Sequence, residues 1–228
     1  MTGRIKHVFF DLDHTLWDFD KNSGLTFQRI FNIHGIEIEL LEFLKHYEPI
    51  NLKYWKLYRE EKVTKPALRY GRLKEAFDAL QVSIADDTIH TLSEDYINHL
   101  TTFNHVFHGT EGVLNYLQQK YHLHIITNGF EEAQERKMVS ANLKGYFKTV
   151  TNSEMVGVKK PNPKIFHFAL QQAKADPAES VMIGDSLEAD IEGAINVGME
   201  AIWFDYKNNQ ITDKVNRITE LEDLKYYL

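Results

Sequence analysis

The chain has 228 residues, 26 basic against 33 acidic, and a formal net charge of −7; that length buries a full core without staples, and the acidic balance disfavours nucleic acid polymers, which require a basic face. It contains no cysteine, which excludes disulfides, thiolate metal sites and cysteine nucleophiles and suits a cytoplasmic setting. No apolar stretch approaches the roughly 20 residues of a membrane helix, so no membrane partner is expected, and the apolar run at 8–10, ended by Asp11, is too short for a secretory signal.

The run at 8–10 is the first predicted strand. Residues 18–102 then carry no convincing strand, and helical spacing recurs at 23–34, 39–47, 49–60, 69–80 and 86–102. Pro49 is expected to end or kink one helix and open the next, with Gly35 and residues 62–66 as connections. Beyond the insertion, short apolar runs at 123–126, 181–183 and 201–204, with a weaker one at 149–150, alternate with helical patterns at 111–120, 131–142, 162–174 and 188–197. Continuous apolar strands alternating with helices predict an α/β fold, a Rossmann-like parallel sheet with helices on both faces. Residues 1–17 and 103–228 are expected to form this core, and 18–102 an inserted all-helical cap. Within the insertion, residues 53–74 hold eight basic side chains and two acidic ones. This is either a solvated helix face or a positive lid that attracts an anion.

Four small clusters fall at or near predicted strand ends. Asp11 and Asp13 follow the first strand, two apart, so in extended chain they address the same side. Thr127-Asn128-Gly129 ends another strand and offers a hydroxyl and backbone N–H groups at a helix start, a natural phosphate cradle. Lys159-Lys160-Pro161-Asn162-Pro163 fixes a lysine in a proline-bounded loop. Gly184-Asp185-Ser186 ends a further strand, with Asp190 in the turn beyond. Magnesium prefers oxygen ligands and needs only one or two carboxylates. Each cluster alone has an ordinary structural explanation: a solvated turn, a strand-to-helix connection, a rigid loop, a helix-start acid favoured by the dipole. Ligands of open α/β sheets bind outside the carboxyl ends of the strands, and there the four together supply a nucleophile, an acid and base, phosphate donors, a cation and a metal site.

In these residues, and in their order, the chain resembles the haloacid dehalogenase superfamily, in its helical-cap branch. The segments 10–19, 126–130, 156–162 and 182–185 further resemble the bacterial house-cleaning pyrimidine 5′-nucleotidases. The resemblance implies a magnesium-dependent phosphatase acting on a small phosphorylated metabolite, a nucleoside monophosphate in the narrower reading. It implies that Asp11 attacks phosphorus to form an aspartyl phosphate and that Asp13 is general acid, then base. Thr127, Asn128, Gly129 and Lys160 would bind the phosphoryl group. Asp11 and Asp185 would hold magnesium by side chain and Asp13 by its carbonyl, with Asp190 in support. Lys160 is preferred over Lys159 because it directly precedes Pro161. His14 occupies a variable motif slot, and His122 and His124 share a strand face without the further ligands of a zinc site.

In the insertion, Tyr47, Asn51, Trp55 and Tyr58 follow helical spacing. They form either a core stripe or, with Arg72, a surface for a base or sugar; Asn51, Trp55 and Arg72 fall where the nucleotidases have similar residues. Asp13 argues against a dehalogenase, whose leaving group needs no proton. A sugar-phosphate or phosphoglycolate phosphatase, a phosphosugar mutase and a non-catalytic binding protein remain as alternatives, and the sequence leaves the oligomeric state open.

Overall fold

The computed structural model describes residues 4–208 and 215–228. Six strands, β1 (His7–Phe10), β2 (His122–Thr127), β3 (Phe147–Asn152), β4 (Ser180–Gly184), β5 (Glu200–Phe204) and β6 (Asn216–Ile218), form one sheet in the order β3-β2-β1-β4-β5-β6. Every pairing is parallel. Helices α1 (Phe19–His34), α2 (Leu40–Arg59), α3 (Lys65–Ala79) and α4 (Asp86–Leu100) lie between β1 and β2. They are followed by α5 (Thr110–Leu117), α6 (Glu131–Ser140), α7 (Ser153–Val156), α8 (Pro163–Ala173) and α9 (Gly193–Asn196). None of the described helices is long and apolar enough to cross a membrane.

All residues of β1 and β4 are buried, which a strand achieves only when both of its faces are covered. On one face Phe9, Ile126, Met182 and Trp203 pack with Ile165, Phe166, Ala169 and Leu170 of α8 and with Ile191 and Ala194. The chain leaves β1 for β2 and β3 on one side and returns to β4 on the other. The crevice at that switch lies outside the carboxyl end of β1, directly at Asp11.

The chain divides into two compact units, residues up to 19 with 104–228, and residues 20–103. In the first, the segments flanking the insertion pair with each other. Asp18 N donates to His105 O (3.1 Å), Phe107 N to Leu16 O (3.0 Å), and Trp17 bridges Val106 in antiparallel sense. The second unit is helical and closes on an aromatic cluster, with Phe27 at 4.8 Å from Phe43, 4.5 Å from Tyr47 and 4.7 Å from Tyr96 between ring centres.

Several expectations need correction. Helix α2 runs unbroken from Leu40 to Arg59 through Pro49, although two helices were expected there. Proline removes one backbone donor, but Pro49 and Lys45, four residues before it, are both exposed, where water serves the orphaned carbonyl. The buried stripe Phe43, Tyr47 and Asn51 meanwhile holds both halves on one core. Lys65 and Pro66 belong to α3 rather than to a connection: Thr64 caps the helix by accepting from Ala67 N (3.3 Å), and proline in the first turn loses no bond. The pattern at 188–197 is a π-helical stretch, Leu187–Glu192, running into α9. Strand β6 had no predicted counterpart, since only Ile218 of its three residues is buried.

Within β2 and level with Phe9 of β1, His124 is buried and stacks on Phe9 with ring centres 4.6 Å apart. Its Nε2 shares a proton with Nδ1 of buried His7 (3.1 Å), and its Nδ1 meets Thr149 Oγ1 at 2.8 Å. Burial, with His7 and His122 adding to it, pushes His124 down to about 4. Between pH 4 and 6.5 the unfolded chain therefore binds a proton that the folded chain refuses. His124's own contribution is level above pH 6.5 and falls as the pH drops towards 4, by on the order of 2 kcal/mol after allowance for solvent screening. On going from pH 7.5 to 5.0 the urea midpoint of the wild type should shift against the folded state relative to that of His124→Gln, in which the other titrating groups are unchanged; equal shifts in the two proteins would count against this assignment.

Candidate active site

Lys160 is the centre of the site. It is 2% exposed, and its ammonium has three N–H groups to satisfy. Nζ lies 2.6 Å from Asp11 Oδ1, 2.6 Å from Ile126 O and 2.6 Å from Asp190 Oδ1. Burial opposes the charge, but Asp11 and Asp190 outweigh it and hold the ammonium above its ordinary value. Its backbone is clamped as well. Asn128 Oδ1 accepts from Lys160 N (2.7 Å), and Asn128 Nδ2 donates to Lys160 O (3.0 Å). Lys159, the alternative, is partly exposed.

Three aspartates converge on this cation. Asp11 continues the β1 ladder, its N–H donating to Ile183 O (2.9 Å). Asp185 follows β4, and its carbonyl accepts from Trp203 Nε1 (2.8 Å). Asp190 is buried in the π-helical stretch, with Oδ2 accepting from Ser186 N (3.0 Å). It reaches in because Gly184 has no side chain: a Cβ there would stand 2.3 Å from Asp190 Oδ2.

One oxygen from each of Asp11, Asp185 and Asp190 lies within 4.8 Å of the others. Burial pushes Asp11 up to about 8, with Lys160 pulling down and Asp190 and Asp185 pushing further up. Burial likewise raises Asp185 to about 6, against the influence of His14 and with Asp190 adding to it. Three carboxylates and one ammonium in a desolvated space leave uncompensated negative charge, and every donor atom is a hard oxygen. These residues fit a divalent cation such as magnesium.

The second cluster lies across from it. Thr127 Oγ1 accepts from Gly129 N (3.1 Å) and from Gln134 Nε2 (2.7 Å), so the one hydroxyl proton is free to donate elsewhere. The Gly129 N–H, expected to face a phosphate, is spent on Thr127 instead. Asp13 accepts at both oxygens, from Lys137 Nζ at Oδ1 (2.6 Å) and from Gln134 Nε2 at Oδ2 (3.0 Å). Neither Gln134 nor Lys137 was a sequence candidate. The one available signal was their spacing of three on the helix directly after Thr127-Asn128-Gly129. His14, set aside as a bystander, has a φ of 61°, stacks on Tyr206 (ring centres 5.7 Å apart) and acts electrostatically on Asp185.

In the helical unit, Asn51 and Arg72 are buried together. Arg72 Nη1 donates to Asn51 Oδ1 (3.0 Å), and the guanidinium lies 4.8 Å from the centre of the Tyr96 ring. These contacts explain the polar Asn51 in an apolar stripe. Trp55 and Tyr58 are partly exposed, their ring centres 5.8 Å apart.

Removing the cation tests the arrangement. Lys160→Met should leave Asp11 and Asp190 buried against each other and lower stability by about 3–5 kcal/mol. Adding Asp190→Asn should restore a good part of that. Denaturant unfolding of the two variants checks both outcomes.

Known proteins resemble this chain over nearly its whole length. Residues 5–198 match the model of haloacid dehalogenase-like hydrolases. The pyrimidine 5′-nucleotidase YjjG of Escherichia coli is 33% identical over 224 residues, covering 95% of this chain and 96% of the relative. A glyceraldehyde 3-phosphate phosphatase of Pyrococcus furiosus is 34% identical over 213 residues, covering 89% and 82%. Among solved structures, the HAD-hydrolase YfnB of Bacillus subtilis, bound to magnesium, superposes with a TM-score of 0.90 at 26% identity over 99% of both chains. With the match running from before β1 to beyond α9 and through all four clusters, the chain belongs to the haloacid dehalogenase-like hydrolase family.

Proposed function

We propose that this chain, a phosphoric monoester hydrolase, cleaves a nucleoside 5′-monophosphate through an aspartyl phosphate formed on Asp11 in the presence of magnesium. The observation that carries the chemistry is the buried Lys160 held between Asp11 and Asp190 at 2.6 Å from each, with Asp13 and the Thr127 hydroxyl nearby. The nucleotide assignment rests on the YjjG likeness. The glyceraldehyde 3-phosphate phosphatase of similar identity favours a sugar phosphate as the second reading.

Asp11 attacks phosphorus while Asp13 gives a proton to the leaving alcohol oxygen. Asp13 then takes a proton from the water that opens the acyl phosphate. The free Thr127 O–H binds a phosphoryl oxygen. Lys160 donates to Asp11 and to Ile126 O and is ion-paired with Asp190, so it acts by charge, offsetting Asp11 and Asp190 as a phosphate dianion approaches. Asp11 and Asp185 would hold magnesium by side chain and Asp13 by its main-chain carbonyl, with Asp190 behind them. Bound there, the ion supplies positive charge that keeps the nucleophile ionised and draws charge from the transferring group.

The helical unit is assigned the part of a cap that selects the substrate. Asn51 and Arg72 hold its interior, whereas the more exposed Trp55 and Tyr58 offer rings to a base. Magnesium is the assigned cofactor and the cytoplasm the assigned compartment.

Phosphate release from a panel of nucleoside monophosphates, sugar phosphates and phosphoglycolate tests the reading. Turnover should need magnesium, stop with EDTA, and fall by at least about 10³-fold in Asp11→Asn. Pyrimidine monophosphates should lead the panel; if sugar phosphates lead, the second reading replaces the first. Magnesium should raise the melting temperature of the wild type and not of Asp185→Asn. Trp55→Ala should raise the nucleotide KM about tenfold, within the range of base stacking. If KM and kcat both stay unchanged, Trp55 has no part in base recognition.

A further inference from the structure

We propose that Gln134 and Lys137 are positioning residues for Asp13, fixing its carboxylate by one donor to each oxygen and tying it to the phosphate-binding hydroxyl of Thr127. The proposal rests on the reading of Asp13 as general acid and base.

Residues three apart on a helix are neighbours on one face, so α6 presents Gln134 and Lys137 side by side. Both are buried, at 1% and 3% exposure. Lys137 Nζ reaches Asp13 Oδ1 at 2.6 Å, and Gln134 Nε2 reaches Asp13 Oδ2 at 3.0 Å. The same Gln134 nitrogen donates to Thr127 Oγ1 at 2.7 Å. One amide therefore joins the acid-base group to the hydroxyl that faces the phosphate. The lysine stem and head are fixed in turn: Nζ sits 4.5 Å from the centre of the Trp17 ring and 5.4 Å from that of Phe19. Trp17 is itself bridged to Asp13 along the chain.

Two features argue that the arrangement serves more than packing. An apolar side chain would fill the Lys137 position without the cost of burying an ammonium. Asp13 also keeps a partly exposed side chain, at 21%, so the carboxylate held from behind stays reachable from the front. Space is reserved for the amide as well. A Cβ on Gly129 would stand 2.2 Å from Gln134 Nε2. Two donors on two oxygens fix the carboxylate plane, and a misaligned acid loses rate far beyond the loss of a contact.

The experiment compares kcat/KM for the best alkyl phosphate of the panel with that for p-nitrophenyl phosphate, whose leaving group needs little protonation. The proteins are the magnesium-loaded full-length wild type, Lys137→Met, Lys137→Arg, Gln134→Ala and Asp13→Asn. Lys137→Met should lose about 30-fold on the alkyl ester and less than about threefold on the aryl ester, a part of the 10²–10⁴ that acid-base catalysis supplies; Gln134→Ala should lose several-fold more on the alkyl than on the aryl ester, its loss on the aryl ester coming through Thr127. Lys137→Arg should recover part of the alkyl activity. In metal-free protein, the urea midpoint shifts of Lys137→Met and Asp13→Asn should be non-additive in the double variant, as groups in contact require. Equal losses on the two esters, no loss, or additive midpoints would overturn the proposal. In those cases selective loss in Asp13→Asn would leave the acid-base reading standing. If Asp13→Asn itself shows no selectivity, that reading falls and the proposal with it.

Discussion

A single buried ammonium organises the core. Lys160 has three protons to place and no water to place them in, and it finds Asp11, Asp190 and the carbonyl that closes β2. Each partner comes from a different part of the sheet: the end of β1, the turn beyond β4, and β2 itself. The ion cluster is thus satisfied only when three crossovers have been made in the right order. Burying such a group is costly unless its pairing is complete. Here the cation lies between two carboxylates, at 2.6 Å from each, and the carboxylates outnumber it three to one. Burial raises Asp11 and Asp185, the neighbouring carboxylates add to it, and the excess of negative charge makes the site a receptor for further positive charge.

Close approach does the rest of the positioning. Two glycines stand where a methyl group would collide with a functional atom, Gly184 beneath Asp190 and Gly129 beneath Gln134. A third, Gly193, lets the end of the π-helical stretch settle against Pro161 Cα, 3.2 Å from where its Cβ would be. The wider turn of the π stretch carries Asp190 inward while Ser186 N holds its far oxygen. Backbone geometry, more than side-chain reach, sets the spacing of the charges.

What the sequence made legible follows from range. β1, β2, β4 and β5 show as apolar runs because both their faces are buried, and the motif residues show because they sit where those runs stop. Lys160 was preferred over Lys159 by its place before Pro161, and the structure puts its ammonium on Asp11. Gln134 and Lys137 were invisible because their meaning depends on Asp13, more than a hundred positions away in the chain. The engagement of the Gly129 N–H with its own neighbour's hydroxyl is equally unreadable from a turn motif. In the helical unit, the stripe through Tyr47 and Asn51 was visible as a period. That Asn51 is occupied by Arg72 was not, since the two lie on different helices. Pro49 misled because a local rule about helix interiors was overridden by the packing of Phe43, Tyr47 and Asn51 on one face. β6 lacked any apolar run; it pairs with β5 at the sheet edge, and its Arg217 bonds to Asp205.

The paired segments at 16–18 and 105–107 have a consequence for how such a protein can change. They bring the two ends of the insertion together within the sheet-bearing unit, through contacts that involve no residue between 20 and 103. Whatever is threaded between them meets the same closed stem, and the entropy of closing the loop grows only slowly with its length. The sheet-bearing unit therefore sees its insertion as a loop of arbitrary content. Helices there can be lengthened, exchanged or replaced wholesale while the paired stem that closes the insertion is left intact.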